Sequence, residues 1–255
     1  MSLHKIIAIT MDGQSICLNQ VLRHAKNHQT FDVVQSKVRQ VIMERYASAN
    51  AISVSGDELQ QGIDDYRRSH GLLQVAAATE WLQRNKMTLD DLAESIRDQL
   101  IEFKVMENVC RDQVEQHFYE NRLSFDSAIL SQIVMKEYGA ARELMYRIEE
   151  GSDFHTLARR YSIDETTRRS GGYAGEVTRS SMSPVEAAAV FGARADEVVG
   201  PIQTIQGLHV IKVEEIKSAR LDERLKREIS SIVFEEWVDE QLNKAAIEIP
   251  LWDQV

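Results

Sequence analysis

Apolar and polar positions change their period three times along this chain. Near the start, Ile7, Ile9 and Met11 alternate with Ala8 and Thr10. Asp12-Gly13 then gives a turn signal, with Ile16 and Leu18 beyond it, so residues 1–20 are expected as a short β-ribbon or extended arm. From Asn19 to about Asn50 the spacing turns helical, with Val34, Val38, Val41, Ile42 and Arg45 on a 3.6-residue period. Ser55 followed by Glu58 three residues on is a capping-box spacing, and the helix it starts should end near His70-Gly71. A second helix is expected from about Leu72 with Trp81 and Leu82. A third opens at Thr88 with Asp91 at its third position and an apolar stripe of Leu92, Ile96, Leu100 and Phe103. A further helix over 112–121 carries Val114 and Phe118 four residues apart.

Beyond Asn121 the pattern shifts. Residues 128–135 read as a buried strand, 137–150 as a helix closed by Gly151, and 154–161 as a short helix. A loop rich in Thr, Arg and Gly covers 162–175, then a short helix 184–191, then a strand 207–213 with strict alternation. The order β-α-α-loop-α-β describes a compact α+β unit. Helical spacing returns over 221–247 through Leu221, Leu225, Ile229, Ile232, Val233, Trp237 and Leu242, and this long amphipathic helix needs an apolar surface to cover. The expected organisation is an N-terminal helical lobe (1–122), an α+β domain (123–216) inserted after it, and a C-terminal helix (217–255) that packs back on the first lobe.

Composition narrows the class of partner. A formal net charge of -10 argues against nucleic acid, because phosphate binding needs a basic face. Only Pro184, Pro201 and Pro250 interrupt the chain, so long helices are allowed almost everywhere. Cys17 and Cys110 have no metal-like or redox-like spacing and read as reduced thiols. The histidines form no His-x-x-His or His-Glu-x-x-His spacing, so neither a metal nor any other cofactor is expected. The apolar run Ile6 to Ile9 is too short for a signal peptide's core, and no run reaches the ~18 residues of a membrane span. A cytoplasmic location without membrane insertion is therefore the expectation.

Six phrases in the α+β unit occur together in a particular order. They are Ser131-Gln132-Ile133-Val134; Gly151 to Ala158 with Tyr161-Ser162-Ile163-Asp164; Gly171-Gly172-Tyr173-Ala174-Gly175; Met182 with Phe191; Gly200-Pro201-Ile202; and Thr204 to Val213. Together they make this unit resemble the parvulin-type (rotamase) family of peptidyl-prolyl cis-trans isomerases. The flanking helices resemble the chaperone lobes of SurA-like and PrsA-like proteins. The resemblance implies a foldase acting on unfolded or exported peptide clients. Its alternative is a catalytically weak, parvulin-shaped chaperone or peptide carrier in peptide maturation or secretion.

The resemblance also implies the site. His209 matches the family's second histidine, Asp164 its Asp/Cys position, Thr204 its hydroxyl position, and Met182 and Phe191 two residues of an apolar proline cup. Two positions depart from the family pattern. Gln132 stands where the first histidine lies, and Glu186 stands where an aromatic lines the cup. A glutamine still hydrogen-bonds across strands. A carboxylate is costly to bury, so Glu186 should point outward or weaken proline binding. Read from the residues alone, His209 is equally a structural histidine on its strand, Asp164 a turn cap, and Met182 and Phe191 plain core.

Overall fold

The computed structural model describes residues 3–11, 13–30 and 32–250; Asp12, the first residue of the expected turn, lies outside them. β1 (Ile7–Met11) and β2 (Gln14–Cys17) pair antiparallel, with a register shift between Ile7 and Ile9. The helical stretch expected from Asn19 is in fact two helices, α1 (Leu18–Asn27) and α2 (Asp32–Ala49). The break is made by the backbone. Gln29 is left-handed at φ 53, and the Thr30 N–H returns to the Ala25 carbonyl at 3.0 Å, which closes α1.

α3 (Gly56–Ser69) starts in a reciprocal cap. The Glu58 N–H donates to Ser55 Oγ, and the Ser55 N–H donates to the Glu58 carboxylate. α4 (Val75–Asn85) follows three residues later than the Leu72 start expected for it. α5 (Leu89–Cys110) opens in the same kind of box between Thr88 and Asp91, and buries Leu92 and Ile96, whereas Phe103 stands exposed. α6 (Gln113–Glu120) ends the first half.

Then come β3 (Ser127–Met135), α7 (Tyr138–Glu149), α8 (Phe154–Tyr161), α9 (Glu165–Arg168) and β4 (Tyr173–Thr178). α10 (Pro184–Gly192), β5 (Val198–Gln203), β6 (Leu208–Lys217) and α11 (Glu223–Lys244) complete the order. The α+β unit therefore holds α9 and the start of β4 within the stretch expected as loop (162–175), and β5 in a stretch for which no element was expected. Both unanticipated strands lie at sheet edges, in the order β4-β3-β6-β5. Edge strands tolerate what disguises these two in the sequence: an exposed, glycine-containing run in β4 and Gly200-Pro201 within β5.

The chain divides into two compact units, Met1–Val114 with Glu228–Val255, and Glu115–Arg227. In the first, α11 contributes its later turns to a helical core. The Arg39 guanidinium on α2 bonds Glu235 through both its terminal nitrogens at 2.7 and 2.8 Å, and its Nε bonds Glu102 on α5 at 2.8 Å. Tyr46 meets Trp237 edge-on at 4.9 Å, and Ile229, Val233 and Val238 are buried. Ile232, read as part of that stripe, is instead 37% exposed.

The second unit is an antiparallel sheet with both faces covered. Side chains alternate across a strand, so Ile133, Leu208 and Val210 go to one face under Ala141 and Leu144 of α7 and Phe154 and Leu157 of α8. Ala128, Leu130, Ile202, Ile211 and Val213 go to the other face, against Val190 of α10.

Candidate functional site

The α10 face of the sheet carries the polar residues singled out in the sequence. β3 and β6 pair with Leu130 opposite Val213, Gln132 opposite Ile211 and Val134 opposite His209. Opposed residues share a face, so Gln132 and His209 are diagonal neighbours on the face that holds Leu130, Ile211 and Val213. Such diagonal positions lie roughly 7–8 Å apart, within reach of long side chains. On the far side of β6, Ile202 of β5 stands opposite His209 and is buried.

Asp164 reaches this face because the chain leaving α8 is tied to the end of β3. The Ile163 N–H donates to the Val134 carbonyl at 2.9 Å, and Ser162 Oγ accepts from the Val134 and Asp164 N–H groups at 3.2 and 3.3 Å. The next residue is thereby set beside Gln132, whose Nε2 donates to Asp164 Oδ2 at 2.9 Å. Thr167 Oγ1 donates to the same oxygen at 2.6 Å, and the Thr166 N–H donates to Oδ1 at 3.0 Å. Asp164 is thus both the cap of α9 and the anchor of Gln132. Burial, the largest single influence, works to raise its pKa, but the bonds from Thr167, Gln132 and Thr166 outweigh it and hold the carboxyl below the ordinary aspartate value. Thr167 was not singled out in the sequence, although its place three residues after Asp164 is the spacing at which a cap meets the first turn.

His209 is 5% exposed, and its Nε2 is buried with no hydrogen-bond partner among the described residues. Burial lowers its pKa below the usual histidine value, and the opposing pull of Glu186 and Asp164 does not restore it. The imidazole is accordingly neutral at pH 7. An orphaned buried nitrogen is unusual in a purely structural histidine, because leaving it unpaired costs about 1–3 kcal/mol.

The apolar residues fall beside this polar group. Met182 and Phe191 are half-buried and pack against the cluster formed by Val190, Ile202 and Ile211. The Arg179 guanidinium, unforeseen in the sequence, lies over the Phe191 ring at 4.0 Å. Glu186 is neither fully outward nor buried. It occupies the third position of α10, where Oε2 accepts from the Ser183 N–H at 3.1 Å and Ser183 Oγ at 2.6 Å. Thr204 follows directly on the end of β5, two residues beyond the Ile202 that stands opposite His209. Its hydroxyl is committed to the turn into β6, donating to the Gly207 carbonyl at 3.2 Å and accepting from the Gln206 N–H at 3.1 Å. No group of three or more potential metal ligands occurs among the described residues.

The fold and the motif order both meet a known family. Residues 135–215 match the rotamase family, described as the PPIC-type PPIASE domain. The inserted unit carries a rotamase domain. The match takes in Asp164, Met182, Glu186, Phe191, Thr204 and His209, while Gln132 precedes it. The chain is 27% identical over 192 residues to foldase protein PrsA of Caldanaerobacter subterraneus subsp. tengcongensis, covering 75% of this chain and 59% of that one. It is 23% identical over 227 residues to foldase protein PrsA of Halalkalibacterium halodurans, covering 85% and 68%. It thus spans under two thirds of the first relative's length. Among solved structures, peptidylprolyl isomerase PrsA from Bacillus anthracis aligns with a TM-score of 0.52 at 20% identity, covering 85% of this chain and 99% of that one. That likeness extends the fold beyond the rotamase domain to the helical unit.

Proposed function

We propose that this chain is a peptidyl-prolyl cis-trans isomerase and foldase acting on unfolded or exported peptide clients. The observation that carries the reading is the unpartnered Nε2 of His209, held neutral on one sheet face with Gln132 and Asp164 and next to the apolar surface of Met182, Phe191 and Ile202. An X-Pro bond prefers trans by only about 0.5–1 kcal/mol, but amide resonance raises a rotation barrier of about 18–20 kcal/mol. A catalyst must bind the twisted amide better than the planar one. That needs no nucleophile and no metal. An apolar surface holds the proline ring away from water, and polar groups bond the carbonyl oxygen or amide nitrogen more strongly as conjugation is lost. In this reading His209 meets the twisting amide, Asp164 holds the Gln132 carboxamide in place, and Met182 and Phe191 receive the ring.

A second reading is favoured by Glu186 and Gln132: a parvulin-shaped chaperone that grips clients with little turnover. A protease-free isomerisation assay on short Xaa-Pro peptides, comparing the wild type with Gln132→His, separates the two. Robust wild-type exchange is the result expected of the isomerase. An inactive wild type made active by Gln132→His overturns that reading and leaves a scaffold retired from catalysis. In the carrier reading, peptide binding persists when proline is replaced by alanine.

A further inference from the structure

The departure at Glu186 has chemical content of its own. Glu186 stands one helical turn before Val190, and Val190 is fully buried against Ile211 and Ile202 on the site's face of the sheet. Residues four apart share one side of a helix, so Glu186 faces the same surface, where its charge acts on His209. Its carboxylate is half satisfied. Oε2 takes both bonds from Ser183, and Oε1 takes none among the described residues. No Lys or Arg forms an ion pair with Glu186 or Asp164 among the described residues; Arg168 is paired with Glu165, and Arg179 lies over the Phe191 ring. The site thus holds an imidazole whose buried Nε2 has no partner among the described residues, within reach of the charges of two carboxylates, of which Asp164 accepts three hydrogen bonds and Glu186 keeps one oxygen without a bond from a described residue.

We propose that Glu186 is a specificity-determining residue that selects client segments with a lysine or arginine beside the proline, its free Oε1 accepting from the cation at the rim of the apolar surface. The inference rests on the proline-site reading above. A carboxylate at the rim of a surface that receives an uncharged ring gains nothing from the ring itself, whereas a neighbouring cation gives it a partner. An acidic residue beside the proline would meet two like charges and be disfavoured.

The test is exchange NMR on three peptides that differ only at the residue preceding proline, Lys, Leu or Glu, with the wild type and Glu186→Gln. The glutamine preserves the cap, since Gln serves the third position of a capping box as Glu does. The expected result is Lys-Pro exchanged about three- to fivefold faster than Leu-Pro, with Glu-Pro slowest, and the spread collapsing in Glu186→Gln. The wild-type spread should also narrow as salt is raised to about 1 M. Equal rates for the three peptides overturn the charge preference while leaving the proline site standing. A spread unchanged in Glu186→Gln assigns the preference elsewhere and overturns the role of Glu186. No exchange with any peptide removes the proline-site reading and the inference together.

Discussion

Gly172→Val is expected to destabilise the rotamase domain by about 2–4 kcal/mol, roughly 10 °C or more in Tm for a domain of this size. Gly172 sits at φ +88, a conformation side chains rarely adopt. A Cβ there would lie 2.5 Å from the Gln132 carbonyl oxygen and 3.0 Å from the Ala158 Cβ. Neither neighbour can yield, because one is the backbone of a central strand and the other belongs to a fully buried residue of α8. Gly172 is also the joint that brings β4 onto β3. Its carbonyl accepts the Gln132 N–H at 2.8 Å, and its own N–H reaches the Thr167 carbonyl at 2.9 Å. The damage should therefore fall on Gln132 and on the Thr167–Asp164 contact as well as on global stability. Calorimetry that follows the two units separately checks this. A transition shifted by less than about 2 °C would mean that the close approach has slack the structure does not show.

His209→Ala carries the second large effect. Isomerisation should fall by about ten- to hundredfold, equivalent to about 1.4–2.7 kcal/mol of transition-state binding. Circular dichroism should remain that of the wild type, since the sheet does not depend on the imidazole for any hydrogen bond of Nε2. The wild-type pH profile gives an independent sign. Burial depresses the pKa of His209 in the folded chain, so between the folded and unfolded values the unfolded chain binds more protons. The folded, neutral form is fully favoured above the ordinary histidine value and loses ground as the pH falls below it. Activity should be flat from about pH 7 upward and decline on acidification, and the His209→Ala residual activity should lack that decline. Asp164 also has a depressed folded pKa, and its contribution fails only at lower pH, as the carboxylate is protonated. An activity that rose as the pH fell below 7 would contradict a neutral His209.

Local grammar made much of the helical unit legible. Ser55 with Glu58 and Thr88 with Asp91 mark helix starts because a side-chain oxygen three residues from an unpaired N–H is a short-range fact. The break at Gln29 was not legible, since a left-handed glutamine leaves no composition signal. The edge strands were hidden for a related reason. β4 is half polar and β5 holds Gly200-Pro201, and only pairing to β3 and β6 makes them strands. In the site, the motif order pointed to His209 and Asp164, and strand register brings Gln132 onto their face. The turn bonds of the Thr204 hydroxyl were not legible in the sequence, because they depend on where the Gly207 carbonyl lies. Arg179 over Phe191 was equally beyond reach: the pair is formed by a 3-10 turn folding against α10.

The most direct measurement is a titration of the isotope-labelled full chain with a Lys-Pro peptide, mapping the perturbed backbone amides. The account predicts perturbations along residues 132–134, 162–167, 182–191 and 202–211, reduced in both Gly172→Val and His209→Ala. Perturbations confined to the helical unit, with the amides around His209 and Gln132 unmoved, would contradict it.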